Sequence, residues 1–148
     1  MQRREFIKGT VLATAVLAAD RVLAGTYDSP GSAKVNQLTN RENPTVLEQK
    51  HVPAIEAPDK VKAGDWFDVT VKVGFMVEHP STPGHWITGI KLLLNGMEAA
   101  ETKFATGGLT SSSATFRIRL EKTSTVEAVE HCNLHGIWIS DAVQVKVA

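Results

Sequence analysis

Strict alternation of apolar and polar residues most limits what this chain can fold into. Phe67, Val69, Val71 and Val73 alternate with Asp68, Thr70 and Lys72, and Ala114, Phe116, Ile118 and Leu120 alternate with Thr115, Arg117 and Arg119. A period of two places each set on one face of a half-buried β-strand. Shorter apolar runs predict further strands at Ala54 to Pro58, Trp86 to Leu94, Thr125 to His131 and Ile137 to Val147. Met97 to Thr106 is polar enough for an edge strand, and Thr45 to Leu47 reads as a short turn or strand. Turn signals at Ala63-Gly64-Asp65, Asn95-Gly96 and Gly107-Gly108 separate the runs. About seven strands and no convincing helix predict an all-β antiparallel sandwich.

The chain has 148 residues, enough for one core, and a single cysteine, so no internal disulfide can staple it. The N-terminus reads differently from the rest. Gln2-Arg3-Arg4-Glu5-Phe6-Ile7-Lys8 resembles a twin-arginine export signal, and the apolar run Val11 to Ala19 after it is too short for a stable membrane anchor. Val22-Leu23-Ala24 offers a cleavage site. The expected organisation is a signal peptide at 1–24, a linker or lightly packed arm at 25–44, and a folded domain at 45–148, exported to the periplasm. The signal holds four basic and two acidic residues, which leaves 12 basic against 14 acidic in the remainder. That balance argues against nucleic-acid or anionic-membrane partners.

Chemistry concentrates in three short stretches: Lys50-His51-Val52-Pro53, His79-Pro80-Ser81-Thr82-Pro83-Gly84-His85, and His131-Cys132-Asn133-Leu134-His135-Gly136. Cys132 and His135 can reach one metal ion if the backbone turns sharply, which Gly136 permits. Read alone, Cys132 is equally a buried structural thiol, and each histidine is an ordinary loop residue. Strand parity favours the shared site. Two predicted strands separate His51 from His79 and four separate His85 from Cys132, so all three loops should meet at one end of the sandwich. Pro53, Pro80 and Pro83 stiffen those loops. His131 precedes Cys132, would point to the opposite face, and is left out of the ligand set. Trp86 and Trp138, each beside candidate ligands, are read as core residues that also cover the site. Four imidazoles (His51, His79, His85, His135) and one thiolate (Cys132) suit a first-row transition ion. Five ligands leave one position open for chemistry or exogenous binding.

The three motifs in this order, Lys-His-Val-Pro, His-Pro-x-x-Pro-x-His-x-Ile-x-x-Ile and Cys-Asn-x-His-Gly-x-Trp, resemble the superoxide reductase family, the iron domain of desulfoferrodoxin and neelaredoxin proteins. The resemblance covers about Gln49 to Val147. It implies a seven-stranded immunoglobulin-like sandwich and one mononuclear iron. His51, His79, His85 and His135 would be equatorial ligands and Cys132 the axial thiolate. No Cys-x-x-Cys pairs precede the domain, so the likeness is to the one-iron neelaredoxin type. The implied reaction is one-electron reduction of superoxide to hydrogen peroxide, with Lys50 attracting the anion. An unidentified one-electron donor protein would complete the cycle, and homo-oligomer formation is left open.

One departure stands out. The family commonly has Glu directly before this lysine, whereas here Gln49 holds that place and Glu48 lies one residue early. In an extended segment that shift reverses the side chain, which puts carboxylate ligation in doubt. The competing function is a non-catalytic periplasmic module, either a copper electron-transfer protein or a sulfur-compound carrier. The copper reading lacks an axial Met after His135, and a carrier would need no histidine cage.

Overall fold

The structure is a computed structural model that describes residues 33–148 and the backbone of Val11–Leu12. Apart from those two residues, the signal segment expected at 1–24 lies outside the described residues, as does 25–32. The described elements are β1 (Val11–Leu12), β2 (Val35–Asn36), α1 (Val46–His51), β3 (Pro53–Ala57), β4 (Lys60–Val61), β5 (Phe67–Val73), β6 (Ile87–Leu94), β7 (Met97–Lys103), β8 (Ser113–Ile118), β9 (Ser124–Cys132), β10 (Gly136–Ile139) and β11 (Val143–Val147). Among the described residues, no helix is long and apolar enough to cross a membrane.

The strands form an antiparallel sandwich of the immunoglobulin-like kind. One sheet runs β1-β3-β5-β8. In the other, β6 lies between β7 and β9, and the far edge of β9 pairs with β10 and then β11. The two-residue strands β2 and β4 add parallel pairs outside β10 and β11. The core lies between the sheets. Val69, Val71 and Val73 from β5 face Ile90 and Leu92 from β6 and Val126 and Ala128 from β9, all at most 1% exposed. At roughly 1.5–3 kcal/mol for each large aliphatic side chain buried, this layer dominates the stability. Cys132 ends the core-facing row of β9 and belongs to the same cluster.

Two differences from the sequence reading have physical causes. The stretch Ile137 to Val147 is two strands, because the register on β9 slips by one residue between Ile139↔Val129 and Val143↔Val126. Ser140 fills the break: its amide donates to the Ala128 carbonyl and its hydroxyl accepts the Ala128 amide, each at 2.8 Å. This is a β-bulge. The second difference is α1, where neither helix nor capping was expected. Thr45 caps it, and Glu48 completes a capping box with Thr45. The Thr45-Val46-Leu47-Glu48 pattern was the available sequence signal. The segment read as a linker or arm also carries order: β2 pairs with β10, and Leu38 packs with Val52 and Trp138.

Candidate metal centre

Three connections come together at one end of the sandwich. The chain crosses between sheets through Pro58 and Asp59 and turns at Gly64 (φ +78°) before β5. The strand β4, absent from the parity count, therefore does not send the next loop to the other end. After β5, Gly74 (φ +90°) forms a turn so close that a Cβ would lie 1.9 Å from the Val77 carbonyl oxygen. That turn brings the His79 amide to the Val73 carbonyl at 3.1 Å, while the Ser112 hydroxyl donates to the His79 carbonyl at 3.0 Å. The loop from His79 to His85 closes with reciprocal backbone bonds between Thr82 and His85. Gly136, at φ +79°, makes the turn that carries His135 back beside Cys132.

Asn133, present in the third motif but given no role in the sequence reading, locks two of these loops together. Its amide group donates to the Gly84 carbonyl at 2.9 Å and accepts the Trp86 backbone N–H at 2.9 Å. Trp86, which adjoins His85, braces the loop: its indole donates to the Phe104 carbonyl at 3.0 Å, and its ring lies against Gly107. Trp138 does lie against the site. It stacks on His51 with centroids 5.2 Å apart and donates from Nε1 to the His135 carbonyl at 3.1 Å.

The four expected histidines form a closed circuit. Ring centroids are 4.8 Å apart for His51 and His79, 4.6 Å for His79 and His85, 5.0 Å for His85 and His135, and 4.8 Å for His135 and His51. Neighbouring rings stand at 66–80° to one another, and the His51–His85 diagonal is longer, 6.2 Å. The sulfur of Cys132 lies 3.6 Å from His135 Nδ1. Donor atoms of His51, His85, Cys132 and His135 all fall within 4.8 Å of one another. With metal–ligand bonds of about 2.0–2.3 Å, one ion can reach such a set. His79 joins the circuit through its rings. His131 is exposed and stands apart.

The protonation pattern fits a metal. His51 Nδ1–H donates to the Leu47 carbonyl and His79 Nδ1–H to the Pro80 carbonyl, both at 2.7 Å, which leaves each Nε2 with its lone pair. The buried Nε2 atoms of His79 and His85 have no hydrogen-bond partner. Orphaned buried nitrogens each cost about 1–3 kcal/mol, and an ion among them would remove that cost. Burial lowers the pKa of His51 and His85 and pushes His79 down to about 4, which favours the neutral form of these three rings. The positive charge of Lys50 also lowers His51 and His85, which puts it near both rings. Burial raises the Cys132 thiol, against the Leu134 and His135 amides that lower it; a bound cation would favour the thiolate. Glu130, wholly buried one step back along the same face of β9, has its pKa pushed well up by burial.

Residues 43–141 match the sequence family described as desulfoferrodoxin. The chain belongs to the desulfoferrodoxin family. Among relatives it is similar to a superoxide reductase of Thermococcus kodakarensis, 37% identical over 98 residues, with 61% of this chain and 83% of that protein covered. A neelaredoxin of Megalodesulfovibrio gigas is 32% identical over 116 residues, covering 66% and 89%. A solved superoxide reductase (neelaredoxin) from Ignicoccus hospitalis superposes with a TM-score of 0.66 at 31% identity, covering 77% of this chain and 95% of that one.

At the position where the resemblance leads one to expect Glu, this chain is arranged differently. Glu48 is 4% exposed, with its carboxylate bound to Thr39 and Thr45. Gln49 donates to the Pro44 carbonyl at 3.0 Å. Because α1 is helical, the one-residue offset of Glu48 is a rotation of about 100° rather than the reversal expected of an extended chain.

Proposed function

We infer that this chain is a superoxide reductase, which converts superoxide to hydrogen peroxide by adding one electron and two protons at a mononuclear iron. The observation that carries the reading is the circuit of four imidazoles beside a buried thiol, two of its ring nitrogens being buried without partners. His51, His79, His85, His135 and Cys132 would hold the iron. When bound, the iron supplies the electron, and an outside one-electron donor protein restores it. The residues of the chain set the conditions. Carbonyl bonds to Nδ1 of His51 and His79 fix the tautomers that present Nε2. Trp138 closes the back of His51 against water. Lys50 would act as the catalytic charge, drawing the anionic substrate toward the metal centre. Neither residue preceding Lys50 offers a free carboxylate to the iron: Glu48 is held by Thr39 and Thr45, and Gln49 by the Pro44 carbonyl.

The localisation rests on Arg3-Arg4 and the apolar run after them: export by the twin-arginine route, with a periplasmic mature domain and no membrane anchor after cleavage. Homo-oligomer formation is compatible with this reading.

The test is iron analysis with visible spectra of the parent and Cys132→Ser. The oxidised parent should contain about one iron per chain and show a sulfur-to-iron charge-transfer band. The variant should lose the band and most superoxide reduction. An unchanged band would remove Cys132 from the ligand set.

A further inference from the structure

The role of Glu48 goes beyond the family pattern. One carboxylate oxygen accepts the Thr39 amide at 2.8 Å and the Thr39 hydroxyl at 2.6 Å, and the other accepts the Thr45 amide at 2.7 Å. Bonds to a buried carboxylate are charge-assisted and stronger than neutral ones. Thr39 lies upstream of residue 43, where the family match begins. The segment that carries Thr39 is itself anchored on the far side of the site. Asn36 donates to the Ile137 carbonyl at 3.0 Å, Arg41 pairs with Asp141, and Leu38 packs with Trp138 and Val52.

The segment held in this way is α1, only six residues long. A helix of that length does not hold itself, and its orientation comes from tertiary contacts. It carries Lys50 and His51, two and three residues after Glu48. Gln49 adds a second tether, its backbone carbonyl accepting the Met76 and Val77 amides at 3.3 Å.

We propose that Glu48 is a positioning residue that clamps α1 to the upstream arm through Thr39, holding Lys50 toward the metal centre and keeping its own carboxylate out of it. This rests on the superoxide reductase reading. Removing the clamp frees α1 to shift, and Lys50, the half-buried charge beside the site, loses its fixed place. The anion-attracting effect of Lys50 therefore depends on Glu48.

The experiment measures azide affinity of the oxidised, iron-loaded full chain in four forms: parent, Glu48→Ala, Lys50→Ala and the double variant. Azide carries the same single negative charge as superoxide. Glu48→Ala should weaken azide binding by roughly three- to tenfold when Lys50 is present and have no further effect when it is absent. A general weakening of the fold would act equally in both backgrounds. Equal loss in both, or no loss in either, overturns the clamp. So does a shift of the Fe(III) spectrum in Glu48→Ala that persists in the double variant, since that marks Glu48 as a ligand. Thr39→Val removes only the hydroxyl bond, and should show the same dependence on Lys50 at a smaller factor; its absence overturns the proposal even where Glu48→Ala does not fold. Iron content and superoxide turnover of the parent report separately on the underlying reading.

Discussion

Lowering the pH should destabilise the metal-free protein through His79, and the size of the effect follows from its surroundings. His79 is 2% exposed, its Nε2 has no partner, and burial holds its pKa at about 4 against 6.5 in the unfolded chain. Above pH 6.5 neither state binds the proton, so His79 contributes no pH dependence. Between 6.5 and 4 the unfolded chain takes up a proton that the folded protein refuses, and stability falls as pH falls. Below 4 the loss levels off. At 1.36 kcal/mol per pH unit, the whole loss is roughly 3 kcal/mol, of which about 2 kcal/mol is reached by pH 5. His51 and His85 are lowered as well and add in the same direction. The assay is urea unfolding of the metal-free protein, followed by tryptophan fluorescence between pH 7.5 and 5. His79→Gln should lose about 2 kcal/mol less than the parent over that span. Parallel curves for parent and variant would refute the reasoning, because the buried orphan nitrogen would then carry none of the penalty.

Lys50→Ala should slow the second-order reaction with superoxide and weaken its dependence on ionic strength, since screening would have less attraction to remove; stopped-flow rates at several salt concentrations check both. Changing Arg3 and Arg4 together to Lys should leave the precursor in the cytoplasm, which fractionation of expressing cells would detect, and unchanged export would remove the twin-arginine assignment without touching the iron site.

The parts legible in the sequence were those that repeat a simple period. The β5 alternation from Phe67 to Val73 is buried at every odd residue, as a half-buried strand requires. The gathering of the four candidate histidines was legible because proline and glycine mark their loops and because one end of a sandwich collects its connections. The helix α1 was missed because six residues contain less than two turns of apolar periodicity, while Pro53 and the β-rich surroundings favoured an extended reading. The price of that miss was the geometry of Glu48, whose direction depends on helix rather than strand. Asn133 and Trp86 escaped for a different reason: their partners, Gly84 and Phe104, lie 49 and 18 residues away, and no local pattern encodes such bonds. The bulge at Ser140 was likewise invisible, since it exists only relative to Ala128 on the neighbouring strand.

The stoichiometry of the reaction tests the central claim most directly. Pulsed superoxide would be reacted with the reduced, iron-loaded protein, and hydrogen peroxide and dioxygen measured together. A reductase adds one electron from the protein to each superoxide, so one peroxide should form per superoxide consumed, with one iron oxidised and no dioxygen released. Half a peroxide per superoxide, with dioxygen evolved and the iron still reduced at the end, would mean dismutation and would contradict the account.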